Sequence, residues 1–175
     1  CANCYAEQMT GRCAAMGNMD YTGLTRRGEN SKTYLFTGDF RELPDRLDEP
    51  LRRNTPTTYF VNSMSDLFGE GVSNEFIAAV FGVMAACPQH IFQVLTKRPT
   101  RAVEWAEWVS TRKDAFGFAE FVHPMGVLHG SLTTYNKALS QAIPQADMAR
   151  RRREGASPSP WPLPNVAFGV TVEDR

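Results

Sequence analysis

A pattern of strand, helix and strand between residues 57 and 96 constrains the fold more than any other feature of the sequence. The two predicted strands, Thr57–Ser63 and Ile91–Thr96, are short and rich in β-branched or aromatic residues. Between them, Ser73 can cap a helix that runs to Ala86, with apolar residues at helical spacing. Such a unit makes parallel strands joined by a right-handed crossover. The nearly continuous apolar run Ile91–Leu95 suits a sheet that is covered on both faces.

Further elements continue this alternation on both sides of the unit. Thr33–Thr37 is a weak strand candidate, and Val166–Val172 is a stronger one. Pro99 ends the extended chain after the second strand of the unit, and Thr100 is the expected cap of a helix over Thr100–Val109. Strands that alternate with helices predict an α/β fold.

Residues 110–165 interrupt the alternation and are predicted to be an insertion within a single domain that spans residues 1–175. The pattern indicates a helix from Ser131 to Arg153 that is broken near Pro144. The proline-rich tract Ser157–Pro164 favours an extended, stiff connector rather than packed structure.

Charge and hydropathy argue against several classes of protein. The 175 residues carry 19 basic and 19 acidic side chains, so no global field favours nucleic acid or an anionic membrane surface. No apolar run approaches the roughly 20 residues that span a bilayer, which predicts a soluble protein without membrane association. Four cysteines are too sparse for a secreted disulfide scaffold and indicate a reducing cytoplasm.

The two ends of the sequence predict a fragment. The sequence begins with Cys1 rather than Met, and it stops soon after the predicted strand Val166–Val172. A processed lipoprotein with a lipid on Cys1 is the alternative. Such anchors usually precede a flexible polar tether, whereas Tyr5–Ala15 already has a helical pattern.

The spacing of Cys1 and Cys4 is the main chemical clue. In a reducing compartment a CxxC pair is more often metal-binding or redox-active than structural, and two thiols three residues apart can bind one metal centre. A zinc ion or a cubane cluster needs further ligands. Cys13 would lie about 13 Å from Cys4 along one helix, and Cys87 is expected to be a buried apolar residue at the opposite edge of the sheet. The missing ligand is therefore expected upstream.

Other interpretations of the CxxC pair stay open, namely a thioredoxin-like redox pair, a zinc knuckle and chance. A thioredoxin-like pair would follow a strand, and a knuckle would need a second pair; the sequence indicates neither. The histidines His90, His123 and His129 are scattered, so they are interpreted as surface or satisfied polar residues rather than metal ligands.

Polar residues follow three of the predicted strands at their carboxyl ends, where parallel α/β proteins place their sites. The alternative is that these ends are polar because the chain emerges into water there. The residues are Asn62, Ser63, Ser65 and Asp66 after one strand, Thr96, Lys97 and Arg98 after the next, and Thr171, Glu173 and Asp174 after the last.

Four phrases of the sequence form a set that occurs in a characteristic order. They are Cys1-Ala2-Asn3-Cys4-Tyr5-Ala6-Glu7, Phe60-Val61-Asn62-Ser63-Met64-Ser65-Asp66-Leu67-Phe68, Phe92-Gln93-Val94-Leu95-Thr96-Lys97-Arg98-Pro99 and Asn165-Val166-Ala167-Phe168-Gly169-Val170-Thr171-Val172-Glu173-Asp174. The set resembles a phage and prophage protein family of uncharacterised function that is related to radical S-adenosylmethionine enzymes. The resemblance covers the N-terminal loop and three strands, and residues 110–165 lie outside it.

The resemblance implies a partial (β/α) barrel with an iron–sulfur cofactor. Three cysteines of such enzymes hold a four-iron four-sulfur (4Fe-4S) cluster whose open iron binds S-adenosylmethionine, and reductive cleavage then gives a deoxyadenosyl radical. Cys1 and Cys4 match the last two of these cysteines, and the first would precede Cys1. The resemblance also implies a ligand pocket that is lined by Asn62, Ser63 and Asp66, with Lys97 and Glu173 nearby as polar or ion-pairing groups. It names no substrate.

Two positions depart from the pattern of radical enzymes. Asn3 stands where many of them have an aromatic residue before the final cysteine. The glycine-rich segment that usually contacts the methionine amine is represented only by Thr37-Gly38-Asp39.

A non-enzymatic nucleic-acid-binding module is the alternative function. Arg150–Arg153 form a basic run, and Trp105, Trp108 and Trp161 lie around the predicted insertion. Basic and stacking side chains together can hold a single strand. The simpler interpretation is that four arginines at a helix C-terminus are favoured by the helix dipole and are solvated.

Overall fold

The computed structural model describes residues 4–29, 32–116 and 163–171, and it combines a parallel sheet with an N-terminal hairpin. The helices are α1 (Tyr5–Ala15), α2 (Asn74–Ala86) and α3 (Pro99–Phe116), and short 3-10 helices span Met19–Tyr21 and Pro44–Arg46. The strands are β1 (Thr25–Arg27), β2 (Tyr34–Phe36), β3 (Thr58–Val61), β4 (Ile91–Thr96) and β5 (Val166–Val170).

The predicted βαβ unit is confirmed. Strands β3, β4 and β5 form a parallel sheet in that order, with Thr58 opposite Ile91 and Phe92 opposite Val166. Helix α2 connects β3 to β4, and α3 follows β4. The carboxyl ends of the three strands therefore meet at one edge of the sheet.

Only one face of this sheet is covered among the described residues, so cover on both faces stays a prediction. On β4 the side chains alternate, with Phe92, Val94 and Thr96 buried against the helices. The opposite face leaves Ile91 and Leu95 about half exposed. The apolar run on β4 thus supplies one buried and one open surface.

Helix α2 begins as the sequence predicts. The hydroxyl of Ser73 accepts a hydrogen bond from the backbone N–H of Phe76 at 3.2 Å. The Glu42 carboxylate accepts from both the backbone N–H and the hydroxyl of Ser73 at 2.8 Å. A side chain from the preceding segment therefore completes the cap, where negative charge suits the helix dipole.

Helix α3 differs from its prediction at both ends. It begins at Pro99, so Thr100 is not its cap; proline is favoured in the first turn because its missing N–H is not needed there. The helix continues to Phe116, so its backbone extends seven residues into the range predicted to be an insertion. Leu163 is buried in the core, so the end of the proline-rich tract is packed rather than a free connector.

The hairpin of β1 and β2 packs against α1. Side chains of α1 hydrogen-bond to the backbone of β2 in the way that a neighbouring strand would. Gln8 donates to the Tyr34 carbonyl at 3.0 Å and accepts from the Tyr34 N–H at 3.2 Å. Glu7 accepts from the Phe36 N–H at 3.2 Å. The outer edge of β2 is thereby satisfied by a helix instead of a third strand.

The described strands form an open sheet, so the partial barrel stays a prediction. The predicted helix from Ser131 to Arg153, residues 157–162 of the proline-rich tract, and Val172 lie outside the described residues. Among the helices in the described ranges, none combines the length and apolarity needed to cross a membrane.

Candidate functional site

The N-terminus of α1 lies at the carboxyl end of β3. The Tyr5 hydroxyl donates a hydrogen bond to the backbone carbonyl of Ser63, two residues beyond the end of that strand. Cys4, which directly precedes Tyr5, is the N-terminal cap residue of α1 and carries a free, half-buried thiol. The residue that follows Cys4 is therefore tied to the edge where the predicted pocket residues lie.

A cavity of about 570 Å³ opens beside this edge. Asn62, Ser63 and Asp66, the three predicted pocket residues, all lie on its wall. The opposite wall comes from α1, β2 and the segment that follows β2. A volume of this size is typical of small-molecule sites.

A tight turn places the polar residues after β3. Asn62 has a φ of +57°, and its carbonyl accepts from the Ser65 N–H at 3.1 Å. Asparagine tolerates the left-handed region better than most residues because its short side chain can form local hydrogen bonds. The turn reverses the chain into the cavity wall immediately after the strand.

Asp66 joins the ends of β3 and β4. One carboxylate oxygen accepts from the buried Thr96 hydroxyl at 2.8 Å and from the Phe68 N–H at 2.9 Å. The other accepts from the Lys97 N–H at 2.9 Å and from the Arg98 guanidinium at 3.3 Å. All four donors belong to the protein, so Asp66 lines the cavity mainly as a brace.

Lys97 and Glu173 are the other two predicted polar groups. Lys97 binds Asp66 through its backbone N–H, and its side chain is not part of the cavity wall. Arg98 does lie on the wall and is anchored there by Asp66. Glu173 lies outside the described residues, as does Cys1.

One family model, described as "Protein of unknown function (DUF5131)", matches the chain over residues 1–175. The chain belongs to this family. Comparison with curated proteins and with solved structures gives no match. The DUF5131 description states no activity, so the chemistry of the chain has to be argued from its own residues.

The other cysteines of this DUF5131 chain are placed away from Cys4. Cys13 lies nine residues later in the same continuous helix, which supports the predicted separation of about 13 Å. Cys87 is 1% exposed, and the Asn165 side chain donates to its carbonyl at 3.2 Å beside the amino end of β5. Its predicted burial is confirmed, and burial raises the pKa of its thiol to about 11. The described ranges contain no group of three metal-binding side chains.

His90 is a satisfied core residue, as predicted. It is buried, its Nδ1 accepts from the Thr57 N–H at 3.2 Å, and its Nε2 lies 3.0 Å from the Pro50 carbonyl, to which it donates in the tautomer that Thr57 requires. His123 and His129 lie outside the described residues.

The interpretation of Trp105 as a nucleic-acid stacking residue is wrong. Its side chain is 1% exposed, stacks on Phe81 at a centroid distance of 4.6 Å, and donates to the Asn74 carbonyl at 3.2 Å. Trp108 is also partly buried against the core. Arg150–Arg153 and Trp161 lie outside the described residues.

Two features of the DUF5131 site were missed by sequence reasoning. The Tyr5 hydrogen bond joins residues 58 positions apart, and no local pattern predicts such a contact. The aromatic residue Phe40 lies on the cavity wall, although it belongs to no predicted element. The sequence does show one sign of this role: Phe40 is an aromatic residue between the charged residues Asp39 and Arg41, in a segment without helix or strand periodicity.

Proposed function

We propose that the protein is a radical S-adenosylmethionine enzyme of the phage and prophage type that its sequence resembles. In this proposal Cys1 and Cys4 are two of three cysteine ligands of a four-iron four-sulfur cluster. The hydrogen bond from Tyr5 to Ser63 supports the proposal, because it ties the residue next to Cys4 to the carboxyl end of β3, and α/β proteins place their reactive groups at such strand ends.

The chemistry of the described thiols fits one part of such a site. Cys4 makes no capping hydrogen bond, so its sulfur is available, and the positive end of the α1 dipole favours an anionic thiolate-bound cluster. Cys13 and Cys87 are set apart by the length of α1 and by burial. The cluster would supply the electron for reductive cleavage of S-adenosylmethionine.

The other residues in this proposal bind and orient. Asn62 and Ser63 line the ligand cavity, and Asp66 holds the ends of β3 and β4 together. Lys97, whose backbone N–H binds Asp66, and Glu173 are assigned only by the resemblance, as polar or ion-pairing groups near the pocket. The parallel sheet is part of a (β/α) barrel. A reducing cytoplasm keeps the ligand thiols free of disulfides.

The test is the iron content of the full-length protein. After anaerobic purification and reconstitution with iron and sulfide, we expect visible charge-transfer absorbance and about four irons per chain. Cys1→Ala and Cys4→Ala should each remove most of this iron. A colourless, iron-free protein would overturn the proposal.

Cys13→Ala is the matched control, since it removes a thiol from the same helix without touching the proposed ligand set. It should retain the iron content of the unaltered protein. Loss of iron in this variant, with an unchanged circular dichroism spectrum, would show that the assigned ligand set is wrong.

A further inference from the structure

Phe40 is a large aromatic side chain left in contact with water on the wall of the cavity. Its ring is 51% exposed. Phe36 and Phe60, from β2 and β3, line the same cavity and are 39% and 47% exposed. Three partly exposed phenyl rings from three segments around one cavity are unusual for a surface that meets only water. Such rings typically contact a ligand.

The Phe40 ring packs against Gly71, where any residue with a Cβ atom would clash with it. A Cβ added at Gly71 would lie 2.4 Å from Cε1 of Phe40, and Gly71 has a φ of +87°. The ring therefore packs against the bare backbone of Gly71 while half of its surface stays open. The ring is held in place before any ligand arrives, which lowers the entropy cost of binding.

Two carboxylates line the same cavity as this ring. Asp39 precedes Phe40, and Glu70 precedes Gly71; both are exposed and both line the cavity. Among the described residues, neither carboxylate has a hydrogen-bond or ion-pair partner. A cavity that combines an aromatic surface with carboxylates suits a flat ring that donates N–H groups, since carboxylate oxygens accept from the amino groups of bases.

The charge of the cavity wall disfavours those ligands that carry a phosphate in addition to such a ring. The wall holds the carboxylates Asp20, Asp39, Glu42, Asp66 and Glu70 against the guanidinium groups of Arg41 and Arg98. Arg41 donates to the carbonyls of Met19 and Thr22, and Arg98 is paired with Asp66. A phosphate would meet excess negative charge with both guanidinium groups already engaged.

We propose that Phe40 is the stacking surface of a nucleoside-binding site, in which the Asp39 and Glu70 carboxylates accept hydrogen bonds from the base. The ligand is a nucleoside without a phosphate. Its base belongs to a nucleoside substrate that is separate from S-adenosylmethionine. Because this inference names the substrate class of the proposed enzyme, it rests on the proposed function.

The test is calorimetric titration of the iron-free, full-length protein with adenosine, guanosine, cytidine and uridine, and with adenosine monophosphate. We expect at least one nucleoside to bind, and adenosine monophosphate to bind more weakly than adenosine where adenosine binds. Phe40→Ala should weaken nucleoside binding about tenfold or more, and Phe40→Trp should retain it, because stacking depends on the ring.

Phe168→Ala is the matched control. Phe168 is exposed to a similar extent but lines a different groove, beside β5, so its removal should leave nucleoside affinity unchanged. Absence of binding by all four nucleosides, or equal affinity of Phe40→Ala and the unaltered protein, would overturn the proposal.

Competition with S-adenosylhomocysteine tests whether the base belongs to a separate substrate. If S-adenosylhomocysteine displaces the nucleoside and loses affinity in Phe40→Ala, the site holds the nucleoside half of the cofactor and the inference of a separate substrate is overturned. If both bind together, it holds a separate substrate. Because no iron is present in these titrations, failure here is distinct from failure of the cluster assay.

Discussion

At the scale of single residues, the Asp66 carboxylate accepts its hydrogen bonds from groups of the protein and has a mainly structural role. Its carboxylate is only 15% exposed and accepts from donors on both sides of the β3–β4 boundary, including the Thr96 hydroxyl. A carboxylate in this position stabilises the edge on which the cavity is built. Its position after β3 could be predicted from the sequence, whereas its saturation with protein donors could not.

Asp66→Asn tests this bracing role. We expect the free energy of unfolding to fall by about 1–3 kcal/mol. The amide NH2 group would face N–H or O–H groups that now donate to the carboxylate, and those donors would lose their acceptor. Urea unfolding followed by circular dichroism measures the change. The exposed neighbour Ser65 provides the control, since Ser65→Ala should change stability by no more than about 0.5 kcal/mol. Equal stability of Asp66→Asn and the unaltered protein would contradict the role.

Cys87 provides a prediction about pH and reactivity. Because burial raises its pKa to about 11, the Cys87 thiol of the iron-free protein is protonated at pH 8 and should not react with a thiol reagent until the protein unfolds, while Cys4 and Cys13 react. The folded-state pKa lies above the unfolded value, so this thiol stabilises the fold below pH 9 and loses that contribution as the pH rises toward 11.

Mass spectrometry after labelling, with and without urea, identifies the modified cysteines. In Cys87→Ala the loss of stability between pH 9 and 11 should be smaller than in the unaltered protein. Rapid labelling of Cys87 in the native state would show that its burial is not maintained in solution.

At the scale of elements, the contact between α1 and the hairpin depends on one glycine. A Cβ at Gly11 would lie 2.1 Å from the Tyr34 ring, and the Arg27 guanidinium lies 4.3 Å from the centroid of that ring. Tyr34 is thus packed against the helix backbone, with a cation against its ring. The hairpin in turn holds α1, which carries Cys4.

Gly11→Ala should destabilise this contact, although the same change usually stabilises a helix by about 1 kcal/mol. We expect faster hydrogen exchange of the β1 and β2 amides and weaker iron retention, since α1 is no longer fixed. Adding Tyr34→Ala should remove the clash and restore part of the stability. The exposed neighbour Arg12 is the control, because Arg12→Ala should leave exchange unchanged. A more stable Gly11→Ala protein would contradict the packing.

The same elements show what sequence patterns predict and what they miss. Helix α1 and the cap of α2 followed from local spacing, and both are confirmed. Strand β1, Thr25–Arg27, was missed because three residues with two arginines carry no strand alternation. Its partner β2 is satisfied by Gln8 and Glu7 of α1, and such long-range contacts leave no local pattern.

The candidate site divides in the same way. Parallel topology predicts that Asn62, Ser63 and Asp66 lie at the carboxyl end of a strand, and the resemblance to radical enzymes implied that they line one pocket; all three line the cavity. The Phe40 ring came from a segment without periodicity, and its seat depends on Gly71 more than 30 residues later. Contacts of that kind depend on the tertiary fold.

At the scale of the whole molecule, the sheet has one face packed and one face open among the described residues. Phe60, Ile91 and Leu95 form the apolar part of the open face, each about half exposed. In the part of the chain that the structure describes, strands β3 and β5 form the two edges of this sheet. In the barrel that we propose, this face is the interior, because the helices α2 and α3 already cover the other side.

The barrel therefore predicts a cost for polar substitutions on the open face of the full-length protein. We expect Ile91→Gln and Leu95→Gln each to lower the free energy of unfolding by about 2 kcal/mol, because each removes an apolar side chain from a closed interior. Glu75→Gln, on the exposed side of α2, should be neutral. If the two sheet variants are as stable as this control by urea unfolding, the face is in contact with water and the strands do not close into a barrel.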